Sequence, residues 1–274
     1  MHITNEIRGM KINTLLLFII GLATTSCLKD KNFPDNPVLK AIDLDYKEIG
    51  GLQEDDSLII NLRFQDGNGD LGFDATDEKF TTAPFNEFDY YSYNPSTQVV
   101  TKFSLDNLRS DIERDLELVR NMIKVSDNDL PGLDTLPPYT FPYTCDNWQE
   151  VKLGANGTVL IEDTVYYTRN LRYNNIYVDF FVENNSGEFE EFFWEYSRAP
   201  QCNIAYHGRF PIINDPDNEA PVEGSIRYSI PNKGWRLTFG DKKFKIKVRI
   251  LDRAGNISNT IESDTGNLDD FLIN

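Results

Sequence analysis

Asp66-Gly67-Asn68-Gly69-Asp70-Leu71-Gly72 carries oxygen-bearing side chains at alternate positions of one short segment. Calcium takes about six to eight hard oxygen ligands, and a D-x-N-x-D arc supplies several of them from a single turn. The glycines between them permit positive φ and keep such a turn tight. The segment is not an EF-hand. Its glycine stands at the seventh place instead of the sixth, Asp77 occupies the twelfth where a Glu belongs, and residues 58–64 read as a strand where a helix should lead in. A second segment, Asp252-Arg253-Ala254-Gly255-Asn256, lies between the last two predicted strands. In an immunoglobulin-like sandwich, the turn after an early strand and the turn between the last two strands can meet at one end. The expected ligand set is therefore Asp66, Asn68, Asp70, Asp252 and Asn256, with calcium as the cofactor. Two alternatives stay open beside it. Arg253 can neutralise the carboxylates without any metal, or the segment is a polar turn held by Asx hydrogen bonds.

Little else in the sequence has the pattern of reactive chemistry. His207 is the sole histidine of the chain after residue 2, and no nucleophile-elbow motif accompanies it. It reads as structural or surface. Carboxylates are too abundant for any acid pair to be picked out by spacing. Cys145 and Cys202 make an even pair in an exported protein once Cys27 is set aside, which suggests a disulfide. Closing so long a loop is worth about 4 kcal/mol in the chain-entropy model. Two buried free thiols are the alternative. A zinc site lacks the further ligands it needs.

The elements that must position these residues are mostly strands. Leu58–Phe64 ends in strict alternation of apolar and polar residues, and Phe244–Ile250 alternates throughout. Asn175–Glu183, Phe189–Tyr196, Gly224–Ile230 and Ile257–Ile261 are further strand candidates. Pro231–Gly234 reads as the turn of a hairpin that continues into Trp235–Phe239. Short strands separated by turns predict a mainly β fold, an immunoglobulin-like antiparallel β-sandwich over about residues 38–266. An inserted segment at about 75–165 interrupts it, with two separate domains as the alternative. Ser104 can cap a helix there, and Leu105, Leu108, Ile112, Leu116, Val119 and Ile123 follow at steps of three and four. They predict one amphipathic helix at about 104–126, packed on its own sheet.

Residues 1–26 have the layout of a secretory signal: Arg8 and Lys11, an apolar run Leu15–Ala23, then Thr24-Thr25-Ser26 before Cys27. The run is too short to cross a bilayer, which needs about 20 apolar residues. The junction resembles a lipobox, although Thr24 stands where that pattern usually has Leu. Cleavage would leave Cys27 as a lipidated N-terminus and residues 27–37 as a tether. An ordinary secretory signal with an incidental cysteine is the alternative. Acyl chains hold a protein to a membrane by about 0.8 kcal/mol per buried CH2. Leu28 differs from the Asp that retains many such proteins at the inner membrane, which favours the outer membrane, either periplasmic or exposed at the cell surface.

The net charge of −17 becomes −18 when residues 1–26 are removed, since they carry Arg8, Lys11 and Glu6. Such a chain has no basic surface with which to displace counterions from phosphates, so nucleic acid is excluded as a partner.

Several segments together resemble a group of Bacteroidota-type outer-membrane lipoproteins: the lipobox, Phe64–Gly72, the Pro137–Trp148 stretch, Gly208–Pro211 and Asp252–Asn259. The resemblance implies an immunoglobulin-like domain with a DGDGD-like loop and a D-x-AGN ending. Asn68 replaces the usual middle Asp, which implies a weaker cation affinity. The expected function is a lipid-anchored, non-enzymatic binding or structural module of the cell envelope, with a glycan or another envelope protein as its partner. The rivals are a carboxylate- or cation-dependent extracytoplasmic hydrolase and an assembly or inhibitor subunit of an envelope complex.

Overall fold

Two ten-residue strands, β1 (Val38–Lys47) and β2 (Ser57–Asp66), pair antiparallel and begin the first sheet. β11 (Val222–Pro231) runs antiparallel along the other side of β2, and β14 (Leu272–Ile273) pairs parallel with the end of β1. In the computed structural model the described residues are 32–49, 55–74, 76–105, 115–127, 129–139, 147–155, 157–192, 194–195, 203–204, 206–214 and 220–273. The secretory signal, Cys27 and the proposed Cys145–Cys202 pair lie outside them.

Strand periodicity orders β2. Successive side chains of a strand face opposite sides, and Leu58, Ile60, Leu62 and Phe64 are all buried in the main core. Asp66 has the same parity and is buried with them. The second sheet repeats the pattern. Its order is β13 (Ile261–Glu262), β12 (Phe244–Ile250), β7 (Ile176–Glu183), β8 (Phe189–Phe192), antiparallel throughout. Phe244, Ile246, Val248 and Ile250 of β12 face the core, and Asp252 follows in the same parity, also buried. The inner faces of both sheets share this core, where each fully buried aliphatic side chain contributes about 1.5–3 kcal/mol.

Trp235–Phe239 departs from the predicted hairpin strand. It opens with a single helical turn, α2 (Trp235–Thr238), on α-helical spacing: Trp235 and Phe239 fall on one face and stack at 5.6 Å inside the core. Leu237, on the opposite face, is 91% exposed. The i, i+4 aromatic pair decides the local structure over the alternation expected of a strand.

Between β2 and β7 the chain builds a third sheet, ordered β4 (Val99–Phe103), β3 (Phe88–Asn94), β6 (Thr158–Arg169), β5 (Trp148–Ala155). β9 (Trp194–Glu195) and β10 (Asn203–Ile204) form a small separate ladder. The predicted helix at 104–126 is corrected over its described part. Only α1 (Leu116–Arg120) is α-helical, and residues 106–114 lie outside the described set. Beyond Arg120 the chain runs between β3 and β6, with bridges from Met122 to Ser92 and from Lys124 to Val165. Ile123 donates to Tyr91 O and accepts from the Tyr166 amide. Met122 and Ile123 enter different apolar clusters, as neighbours in an extended segment do. Of the stripe that suggested a helix, Val119 is buried from the short helix and Ile123 from the extended segment between two strands.

Candidate metal centre

Asp66 ends β2, and the chain turns at once. The Gly67 amide donates to Pro34 O at 2.8 Å, and a Cβ on Gly67 would stand 2.5 Å from Phe33 O, so only glycine fits. Gly69 has φ of +68°, in the left-handed region that favours glycine. Leu71 then plugs into the main core and fixes the far side of the loop. From the other sheet comes the turn after β12. Arg253 N donates to Asp70 O at 3.1 Å, and Ala254 N donates to Asp70 Oδ2 at 2.9 Å. The two turns are thus sewn together through Asp70.

This brings Asp66, Asp70 and Asp252 to one point. One carboxylate oxygen of each lies within 4.8 Å of the other two. Asp66 and Asp252 are completely buried. Asp66 Oδ1 and Oδ2, Asn68 Oδ1 and Asp70 Oδ1 are buried and receive no hydrogen bond. Leaving such groups unsatisfied costs about 1–3 kcal/mol each, and more when charged. Burial, and then the charges of Asp70 and Asp252, push the Asp66 carboxyl up to about 7. The Asp70 and Gly69 amides offset a little of this, from beyond hydrogen-bonding geometry. Asp70 is also raised, by burial first and then by the Asp252 charge, against the Ala254 amide and Arg253.

Arg253 does not act as the counter-charge in contact. Its Nη1 donates to the carbonyls of Leu71 at 3.2 Å and Gly72 at 3.4 Å, so it props the loop backbone. Among the described residues no Lys or Arg forms an ion pair with any of the three carboxylates. The Asx-turn alternative also falls short, because it leaves the four loop oxygens without donors. A set of buried oxygen donors, with neither nitrogen nor sulfur among them, could hold a hard metal cation.

Of the five expected ligands, Asp66, Asp70 and Asp252 converge, and Asn68 contributes to the buried unpartnered oxygens. Asn256 stands behind Asp252. Its amide N donates to Oδ1 at 2.7 Å and its Nδ2 to Oδ2 at 2.8 Å, which orients that carboxylate. His207 receives the Val178 amide on Nδ1 at 3.1 Å and packs at a tilt against Tyr177, a structural placement.

Asn175 is a supporting residue that sequence reasoning missed. It is fully buried at the start of β7. Its Oδ1 accepts from Phe210 N at 2.8 Å and its Nδ2 donates to Phe210 O at 3.0 Å. Its own carbonyl accepts from Leu251 N at 3.0 Å. Phe210 O also accepts from Phe73 N at 3.1 Å, so Asn175 links the end of β12 to the segment bracing the cation loop. A single asparagine ahead of a strand gives no such signal in sequence. Asn175→Ala orphans the Phe210 amide and leaves Phe210 O with the Phe73 amide alone; it is expected to cost about 1–3 kcal/mol in urea unfolding, and a loss under about 0.5 kcal/mol would contradict this role.

Comparison with protein-family models, with curated proteins and with solved structures returned no match.

Proposed function

We propose that the chain is a lipid-anchored, non-enzymatic module of the outer envelope, an immunoglobulin-like sandwich whose two sheets are locked at one end by a structural calcium ion. The strand orders support the fold reading. Taken in chain order, β1, β2, β7, β8, β11, β12 and β13 fall as A, B, C, C′, E, F and G, giving sheets E-B-A and G-F-C-C′. The third sheet is then an insertion in the B–C connection. The anchor reading rests on the lipobox-like junction at Cys27 and on resemblance to envelope lipoproteins.

One observation carries the calcium reading: three converging carboxylates with four buried loop oxygens that no donor satisfies. Asp66 offers both of its oxygens. With Asn68, Asp70 and Asp252 that makes an all-oxygen set suited to calcium, whose flexible coordination accepts a bidentate carboxylate more readily than magnesium does. The ion belongs to the strand framework, since its ligands stand at and just after the end of β2 in one sheet and just after β12 in the other. Its role is to cross-link them.

Thermal melting in calcium and in chelator tests this. At calcium a hundredfold above Kd, binding adds about 2.7 kcal/mol, a rise on the order of 5–10 °C for a chain of this size. Asp70→Ala should abolish the rise. Superimposable melts of the parent protein would remove the calcium lock.

A further inference from the structure

The inserted sheet and the sandwich border a cleft of about 410 Å3, within the range of small-molecule sites. Arg209 lines it and is held rigidly. Its guanidinium stacks over the Phe73 ring at 4.9 Å and the Tyr173 ring at 4.5 Å. Nε donates to Tyr173 O, and Nη2 donates to Phe85 O at 3.0 Å. Among the described residues Nη1 meets no hydrogen-bond partner. Glu87 lines the same cleft, with Arg169 Nη1 3.4 Å from its Oε1. Among the described residues here, the guanidinium groups of Arg209 and Arg169 stand with the carboxylate of Glu87, in a chain of net charge −17. Phe88, Tyr90 and Tyr173 add aromatic surface.

We propose that this cleft binds an acidic sugar, a hexuronate unit of a glycan, with its carboxylate on Arg209 Nη1. The C–H face of the sugar ring packs on the aromatic lining, and Glu87 accepts from ring hydroxyls. A clamped guanidinium loses little freedom on binding, and a charge-assisted bond to a carboxylate is about twice as strong as one to a neutral hydroxyl. An acidic peptide would bring the charge without a rigid apolar face for the aromatic lining. The inference rests on reading the chain as a binding module and names its ligand class; it does not need the calcium ion.

Calorimetric titration of the purified protein in chelator, with a glucuronate-bearing oligosaccharide and its carboxyl-reduced counterpart, tests it. The acidic form should bind at least about tenfold more tightly, a difference of about 1.4 kcal/mol. Arg209→Gln should erase that preference. Because Arg209 also braces backbone carbonyls, Thr81→Trp is the second variant: it fills the cleft from an exposed position and should abolish binding with the melting temperature retained. Absence of binding, equal affinity for the two oligosaccharides, tighter binding of an acidic peptide, or binding unchanged in Thr81→Trp would each overturn the proposal. A protein that melts higher in calcium yet ignores the sugar overturns this inference alone. One that binds the sugar without any calcium response overturns the calcium lock alone.

Discussion

Asp66→Asn is expected to stabilise the protein in chelator and to destabilise it in calcium. In chelator near about pH 8 the parent holds an ionised Asp66 carboxylate, fully buried, beside those of Asp70 and Asp252. The rise of Asp66 from 3.8 to about 7, at about 1.4 kcal/mol per pKa unit, puts the penalty of ionising it at about 4 kcal/mol. Asparagine keeps the shape and removes the charge. The buried amide then lacks partners of its own, which returns about 1–3 kcal/mol of that relief. The net gain is about 1–3 kcal/mol. In calcium a thousandfold above Kd the comparison reverses, because the variant loses a carboxylate that can offer two oxygens and with it a stabilisation of about 4.1 kcal/mol. Urea unfolding of both proteins under both conditions should give crossed stabilities. Destabilisation of equal size in calcium and in chelator would show that Asp66 serves packing alone.

The second large effect is on pH dependence. A group whose pKa is higher in the folded state binds its proton more tightly there, so folding is favoured at low pH and loses that advantage as pH rises. For Asp66 the window runs from 3.8 to about 7. In chelator, the stability of the parent relative to Asp66→Asn should therefore fall as pH rises through this window and level off above it. Calcium competes with the same proton. The calcium-induced rise in melting temperature should be complete above about pH 7 and shrink toward about pH 4. Melts in calcium and in chelator across this range measure it. A calcium increment independent of pH would place the ion away from Asp66.

The candidate site was read from the spacing of two polar turns, and strand parity supplies the physical reason that Asp66 and Asp252 point inward. Leu58, Ile60, Leu62 and Phe64 set an inward register that delivers Asp66 to the interior, and Phe244 to Ile250 do the same for Asp252. A carboxylate continuing the apolar parity of a strand is a stronger signal than the D-x-N-x-D spacing by itself. The function of Asn256 was not legible, since spacing does not distinguish a ligand from a residue that orients one. Arg253 likewise could be placed at the site by sequence but not aimed; its bonds run to the Leu71 and Gly72 carbonyls.

The segment between β2 and β7 was the hardest part to read. Leu116, Val119 and Ile123 fit a helical stripe, yet the bridges of Met122 and Lys124 to β3 and β6 outcompete helical propensity beyond Arg120. Such pairing depends on partners about 30 and 40 residues away in sequence, where a local pattern has no reach. Trp235–Phe239 failed for the opposite reason. Its aromatic pair is local, but a span of five residues serves a strand or a helical turn equally well until a core is there to receive it.

The central claim is that the carboxylates of Asp66, Asp70 and Asp252 hold calcium. Equilibrium dialysis of the purified protein against calcium, followed by elemental analysis, tests it most directly. The expected result is one ion bound per chain, none per chain of Asp70→Ala, and no displacement by equimolar magnesium. A folded parent protein that retains no calcium above the dialysis buffer would contradict it.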